Sequence, residues 1–427
     1  MTAGARPAPA TDRAGLPHDD GEPVDFDSHD PRHARDPFTA LDALRDRCPV
    51  SWTGAWEGHW VVTGHREAVR VARDPRFLTS HVRPDGALQG ASIPTIGQTG
   101  RLVPLEMNVP ESLGYRKLIA GFYTPSRVAA RAGEFRRLAD ACLDDLVRDG
   151  GGDLVRALTE RMPSILTLRD IGLPEDRWEE VDALVEVALL SAPHDPDRAR
   201  DAAQELCMMI VEEMEERRDG SGGGLLTELL TTTLHGRPVP DEAIVSMMYV
   251  LLLGIHPTSA LTATALWHLA QDPGLRARLA TEPGLIPGAV DEFLRWLSPI
   301  QSTVRTAAED LHVGGTEVRA GDRVFLSWAG ANRDPSVFPD PARLVLDRDA
   351  RGHLAFGAGA HYCVGAAAVR AMFGTMLEAV LRRMPDYALD PRASVSWFPD
   401  VSFFHGVTSL PVVTRADRTA GGASWER

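Results

Sequence analysis

Ten residues, Phe356 to Gly365, read FGAGAHYCVG and constrain this chain more than any other stretch. They place Cys363 at the tip of a glycine-punctuated loop, just before an apolar run over 364–384 with helical spacing. Gly357 and Gly359 permit backbone conformations closed to residues with a Cβ, so the loop can pass close against a large flat ligand. The amino end of the following helix favours a thiolate at Cys363. His361, two residues earlier, can donate a hydrogen bond to an acidic group at the ligand's edge. A lone cysteine in such a turn is most often a small buried apolar residue. Phe356, Gly357, Gly359, His361, Cys363 and Gly365 at fixed offsets point instead to a thiolate that ligates iron in a flat macrocycle.

The pattern resembles the haem loop of the cytochrome P-450 family, and the likeness extends over roughly residues 30–415. It implies a mainly α fold with a small β-rich part, built as a single domain around one haem b, with Cys363 as the metal ligand. Helical spacing runs through 135–148, 179–190, 198–218, 241–271, 288–297 and 364–384, and β-rich pieces fall at 60–64, 313–318, 323–328 and 406–413. Residues 1–25 and 416–427 are polar or rich in Pro, Gly and Ala, and read as tails on a 26–415 haem domain.

Composition narrows the partners. The chain has 427 residues, 44% hydrophobic and 25% charged, with a formal net charge of −15. That charge argues against nonspecific nucleic-acid binding and against an anionic membrane. Cys48, Cys142, Cys207 and Cys363 are scattered without paired metal-ligand spacing, which suits free thiols in a reducing compartment. No signal-like segment opens the chain, and the most apolar run, 247–255, is short for a membrane span. The expected location is cytoplasmic.

The resemblance also assigns supporting residues. Glu292 and Arg295 stand three apart in DEFLRW, where a carboxylate and a guanidinium pair on one helix face. They match the family's Glu-x-x-Arg motif, with Arg343 as the expected third member bracing the haem-loop side. Arg305, His361 and Arg116 match positions that hold the haem propionates, which must be paired when buried. Ser112 and Gly114 stand where the family often has a histidine and an arginine, so fewer charges are expected there.

The helix expected to cross the haem departs from the family. Counting back from Asp272-Pro273, the oxygen-activating motif falls on Leu253-Gly254-Ile255-His256-Pro257. Gly254 keeps space over the iron, the usual acid becomes His256, and the usual alcohol becomes Pro257. Counting from Cys363 instead puts Thr258 in the alcohol position. Proline has no N–H, so the carbonyl of Leu253 loses its helix partner. Thr258 is rotated by about 100° from Pro257 on a regular helix and takes over only if the helix is kinked. His256 can pass a proton near neutrality. One branch of the family, the peroxide-using fatty-acid hydroxylases, carries Arg-Pro at these positions, but His256 is no permanent anchor for a carboxylate.

The family's substrate walls fall on the 81–100 loop, a lid at 189–192, Leu253, Gln301 to Thr303, and Phe403-Phe404. A pocket-facing Phe403 favours an aromatic or flat substrate. Three functions follow from the resemblance. The first is a monooxygenase that tailors a small specialised metabolite, with ferredoxin and ferredoxin reductase docking near Arg343, Arg351 and Arg370. The second keeps the haem without ordinary O2 activation, using peroxide or a nitrene- or oxene-type transformation of a pre-activated N–O compound. The third is a non-catalytic haem sensor.

Overall fold

The computed structural model describes residues 24–95, 100–400 and 403–414. Of the expected tails, only Val24 and Asp25 fall within it, and Val24 packs with Phe26, Val61 and Phe325. A twisted five-stranded sheet gathers distant pieces of chain: β1 (Val50–Thr53), β2 (His59–Val62), β3 (Phe77–Leu78), β4 (Ser302–Ala307) and β5 (Arg323–Ser327), in the order β1-β2-β5-β4-β3. β5 runs parallel to β2, with Val324 opposite Trp60, and antiparallel to β4, with Val324 opposite Arg305. Both central strands are buried on both faces, which accounts for their unbroken apolar runs.

The helical body forms the largest core. Helices that matter below are α1 (Glu111–Ala120), α2 (Arg161–Ile171), α3 (Trp178–Leu190), α4 (Asp241–Leu252), α5 (Ile255–Gln271), α6 (Ile286–Leu297) and α7 (Ala366–Arg383). Leu261, Leu266 and Leu269 of α5 and Phe373, Met376 and Leu377 of α7 are fully buried in one cluster. Twelve of the seventeen α5 residues are buried, so this helix has no polar face and serves as the central strut.

The single helix expected over 241–271 is two. α4 ends at Leu252 and α5 begins at Ile255, with the Gly254 N–H drawn to the carbonyl of Leu251 in a tightened turn. Pro257 explains the break, because it cannot donate to Leu253 and its ring crowds that carbonyl. By length and composition the 241–271 stretch matches a membrane span, but 67% of its apolar window is buried inside the fold. The last helix starts two residues later than its spacing suggests, at Ala366. The 406–413 piece divides into Val407–Ser409 and Pro411–Val413, which join different small sheets.

Candidate active site

The cysteine loop is held from both sides. The Cys363 N–H donates to the Phe356 carbonyl at 2.9 Å, closing the loop on itself. Gly359 has φ +72, and a Cβ there would lie 2.4 Å from the Ala72 carbonyl, so only glycine lets the loop rest on the His65–Arg73 helix. The Cys363 sulfur faces the N–H groups of Gly365 and Ala366 at the start of α7. Burial pushes the thiol up, while those N–H groups, Arg116 and Arg370 pull it down. The helix amino end therefore favours the thiolate as expected, and burial opposes it. A metal ligated at the sulfur removes the proton outright.

Arg116, Arg305 and His361 meet without an anion between them. Arg305, on β4, is 4% exposed and among the described residues donates to the Val304 carbonyl at 2.9 Å and Thr303 Oγ1 at 3.4 Å. Burial pushes it down to about 10. His361 keeps Nδ1 buried without a partner, and burial together with Arg305 and Arg116 pushes it down to about 3. Arg116, on α1, donates to the Tyr362 carbonyl and is also lowered by burial. Among the described residues, no carboxylate pairs with any of the three. Buried cations left this way are costly, and two carboxylates brought by a ligand would satisfy them. Haem, with its two propionates and a sulfur-seeking iron, fits this donor set.

The departures at Ser112 and Gly114 have a local reading. Ser112 Oγ is buried and unpartnered, one turn before Arg116. A Cβ on Gly114 would touch Leu234 Cδ1 at 3.0 Å, so the Thr233–Leu234 strand fills the space of a larger side chain.

Glu292 and Arg295 form the expected pair with full closure. Arg295 donates Nε to Glu292 Oε2 at 2.7 Å and Nη2 to Oε1 at 2.8 Å, both side chains wholly buried. The expected third member is corrected. Arg343 is exposed and lends only its carbonyl to Arg295, whereas Arg348 Nε donates to Glu292 Oε1 at 3.0 Å. The turns between Asp340 and Arg348 carry the Arg343 side chain outward and return the chain at Arg348. Asn332, also missed in the sequence, joins this lock to the haem loop. Its carbonyl accepts from Arg295 at 2.9 Å and its Oδ1 accepts from the Leu354 N–H at 2.6 Å.

The cationic patch is reduced likewise. Arg351 is paired with Asp349, and Arg370 donates to Asp291 at 2.7 Å and lies over the Phe356 ring.

Near the helix break, Leu253 and His256 are buried, and the edge of Gly254 is open apart from the Leu251 carbonyl. His256 Nε2 lies 3.4 Å from the Asp182 carbonyl and 3.7 Å from Asp182 Oδ1, on α3. Burial lowers its titration, against the pull of Glu160 and Glu186, so His256 is less basic than its sequence suggests. The Thr258 hydroxyl donates back to the Gly254 carbonyl at 3.1 Å.

The expected substrate walls come together in part. Leu189, Leu190 and Pro193 line one crevice with Phe398, Phe403 and Phe404. Phe403 and Phe404 meet edge to face at 4.7 Å. Gln301 spends its Nε2 on the Ser298 carbonyl at the end of α6 and its backbone N–H on the Phe403 carbonyl, while its Oε1 is buried without a partner. Thr303 is half-buried beside Arg305. Part of the 81–100 loop, 96–99, lies outside the described residues.

Fold and site define a haem-thiolate enzyme. The chain belongs to the cytochrome P450 family: the family model "Cytochrome P450" matches residues 184–385, and near-full-length relatives share about a third of its sequence. It is 32% identical over 402 residues to "Cytochrome P450 monooxygenase PikC" of Streptomyces venezuelae, covering 91% of this chain and 93% of that one. It is 31% identical over 384 residues to "Pentalenic acid synthase" of Streptomyces avermitilis, covering 88% and 94%. Among solved structures, CYP108D1 from Novosphingobium aromaticivorans superposes with a TM-score of 0.80 at 25% identity, over 92% of this chain and all of that one. The protein is thus a P450-type enzyme of a monooxygenase family with relatives in secondary metabolism.

Proposed function

We propose that this enzyme oxidises a small, flat specialised metabolite as a ferredoxin-fed monooxygenase, with haem b ligated by Cys363. The observation that carries the reading is two arginines without a carboxylate partner, Arg116 and Arg305, with the unpartnered imidazole of His361 beside a sulfur facing two helix N–H groups. Bound haem supplies the oxygen-transfer chemistry. Cys363 would supply the sulfur ligand, and Phe356 with Gly357, Gly359 and Gly365 fixes the loop around it. Arg116, Arg305 and His361 neutralise two carboxylates at the ligand's edge. Glu292, Arg295 and Arg348 keep the loop from moving, through Asn332. Leu253, Thr303, Phe403 and Phe404 exclude water and orient an apolar plane, in keeping with an aromatic substrate. The electron donor docks on the side of Tyr362, which is 41% exposed next to Cys363.

One observation favours a second reading. Pro257 has no hydroxyl and Thr258 spends its own on Gly254, which suits a substrate or peroxide that brings its own weak bond. Metabolite extract incubated in two arms separates the readings by mass spectrometry. One arm holds NADPH, ferredoxin and reductase under air; the other holds neither reductant nor oxygen. Product confined to the aerobic arm supports monooxygenation. Product in the anaerobic arm overturns it in favour of a pre-activated substrate.

A further inference from the structure

A group of buried titratable side chains lies where α2 and α3 pack near the start of α5, and nothing proposed above uses it. Glu160 and Asp182 are both buried, and both sit on the same Arg156 Nη1, at 2.9 and 3.4 Å. Arg156 is half exposed and lies against the Trp178 ring, so it opens the pair to solvent. Ser164 Oγ donates to Asp182 Oδ1 at 3.4 Å. His256 faces the same carboxylate from α5 at 3.7 Å. Residues 155–159 form a π-helical turn, whose extra residue brings Glu160 beneath α3, with Thr159 Oγ1 3.1 Å from Ser259 Oγ of α5. Such turns are rare within α-helices and fall frequently at functional sites.

Two carboxylates sharing one arginine cannot both be comfortably ionised. Burial pushes Glu160 and Asp182 up; the Asp182 charge raises Glu160 further and Glu186 raises Asp182, while Arg156 pulls both down. The charged groups facing His256 are Glu160 beside α2 and Asp182 and Glu186 on α3, with Arg156 behind the acids. The arrangement is therefore a stored proton next to a neutral imidazole, one residue from Pro257.

We propose that Glu160 and Asp182 form with His256 a buried proton relay that enters at Arg156 and supplies the α5 side of the active site. In the step, the O–H of the Asp182 carboxyl breaks and an N–H forms at His256 Nε2. The imidazolium then releases the proton at Nδ1 to water on the far side of the ring, and a turn of the ring restores a bare nitrogen toward Asp182 for the next transfer. Asp182 regains a proton from Glu160, and Glu160 from bulk water beside Arg156. No electron moves. A turn of the Asp182 carboxylate, or one water, closes the 3.7 Å gap. Asp182 and Glu160 are positioning and proton-carrying residues. The relay rests on the reading that His256 adjoins the haem side of α5.

Two measurements on the haem-loaded enzyme test it. The first is infrared absorption of protonated carboxyl groups from pH 5 to 8, read as variant minus wild type. The subtraction removes Asp170, which burial also pushes up to about 6. Loss of protonated-carboxyl absorption at pH 6 in Glu160→Gln or Asp182→Asn is expected; no difference in either variant overturns the relay. The second is product formed per NADPH consumed, across pH. A fivefold or greater drop is expected in Asp182→Asn and His256→Gln, no further drop in the double variant, and recovery in Asp182→Glu. Additive losses, or unchanged coupling despite the infrared change, overturn the relay. Thermal melts identify a misfolded variant, and Glu160→Gln, nearer the surface, then carries the test. If product forms without reductant, the monooxygenase reading fails separately. The relay then stands only if the pH profile of that turnover still shifts in His256→Gln.

Discussion

Two buried sets of charge, one on each side of the cysteine loop, are built on opposite terms. Around Glu292, every oxygen and guanidinium nitrogen that the lock uses is matched: Arg295, Arg348 and the Val345 N–H converge on one carboxylate. Around Arg305, three basic groups converge on nothing. The first set is complete in the protein and so holds the fold. The second is complete only with a ligand that carries negative charge. A buried pair signals architecture, and a buried surplus of one sign signals an occupant.

Substitutions break the comparison in graded ways. The largest effect is expected from Cys363→Ser, which abolishes product and the spectroscopic signature of thiolate ligation while the protein remains folded by circular dichroism. Next, Arg295→Ala leaves Glu292 buried without its main partner. A loss of about 3–5 kcal/mol is expected in denaturant titration, and Arg295→Lys does not restore it because the bidentate geometry is gone. Arg305→Ala separates the two sets most sharply. Haem retention, measured by transfer to apomyoglobin, is expected to weaken by about ten- to a hundredfold, the range for a charge-assisted hydrogen bond. The haem-free protein should keep or gain stability, and a loss equal to that of Arg295→Ala would remove the distinction.

Acid sharpens the comparison further. His59, His268 and His405 are pushed down to about 4 by burial. The unfolded chain binds protons at these sites first, so stability is full above about pH 6.5 and falls as pH drops toward 4, by about 3 kcal/mol for each histidine. Chemical denaturation at steps of pH checks the sign. The smallest effect is a contrast: Arg348→Ala is expected to cost about 1–3 kcal/mol, and Arg343→Ala to stay within about 0.5.

That last contrast marks where the sequence stops being readable. The cysteine loop is legible because its glycines answer to backbone geometry at fixed offsets, and Glu292 with Arg295 because one helix face sets their meeting. Arg348 is not legible, since two irregular turns decide which arginine points inward. Helices such as α2 escaped because they are buried almost all round, with Met162, Ile165, Leu168 and Ile171 giving no polar face to set a period. Pro257 announced a distortion, but the break at 253–254 follows from a carbonyl one turn away. The acids facing His256 lie 70, 74 and 96 positions upstream in the chain, and only packing brings them there.

The five-stranded sheet also sets a timetable. Its first three strands leave the ribosome by residue 78, yet their central partners are residues 302–307 and 323–327. Residues 79–301, most of them helical, are synthesised while β2 waits with its edge unpaired. The strand that pairs with β2 and the loop that carries Cys363 then emerge within about forty residues of each other. Sheet closure and completion of the cofactor pocket fall in the same late interval of synthesis. A chain stalled before residue 323 holds neither, and exposes an apolar edge that invites aggregation.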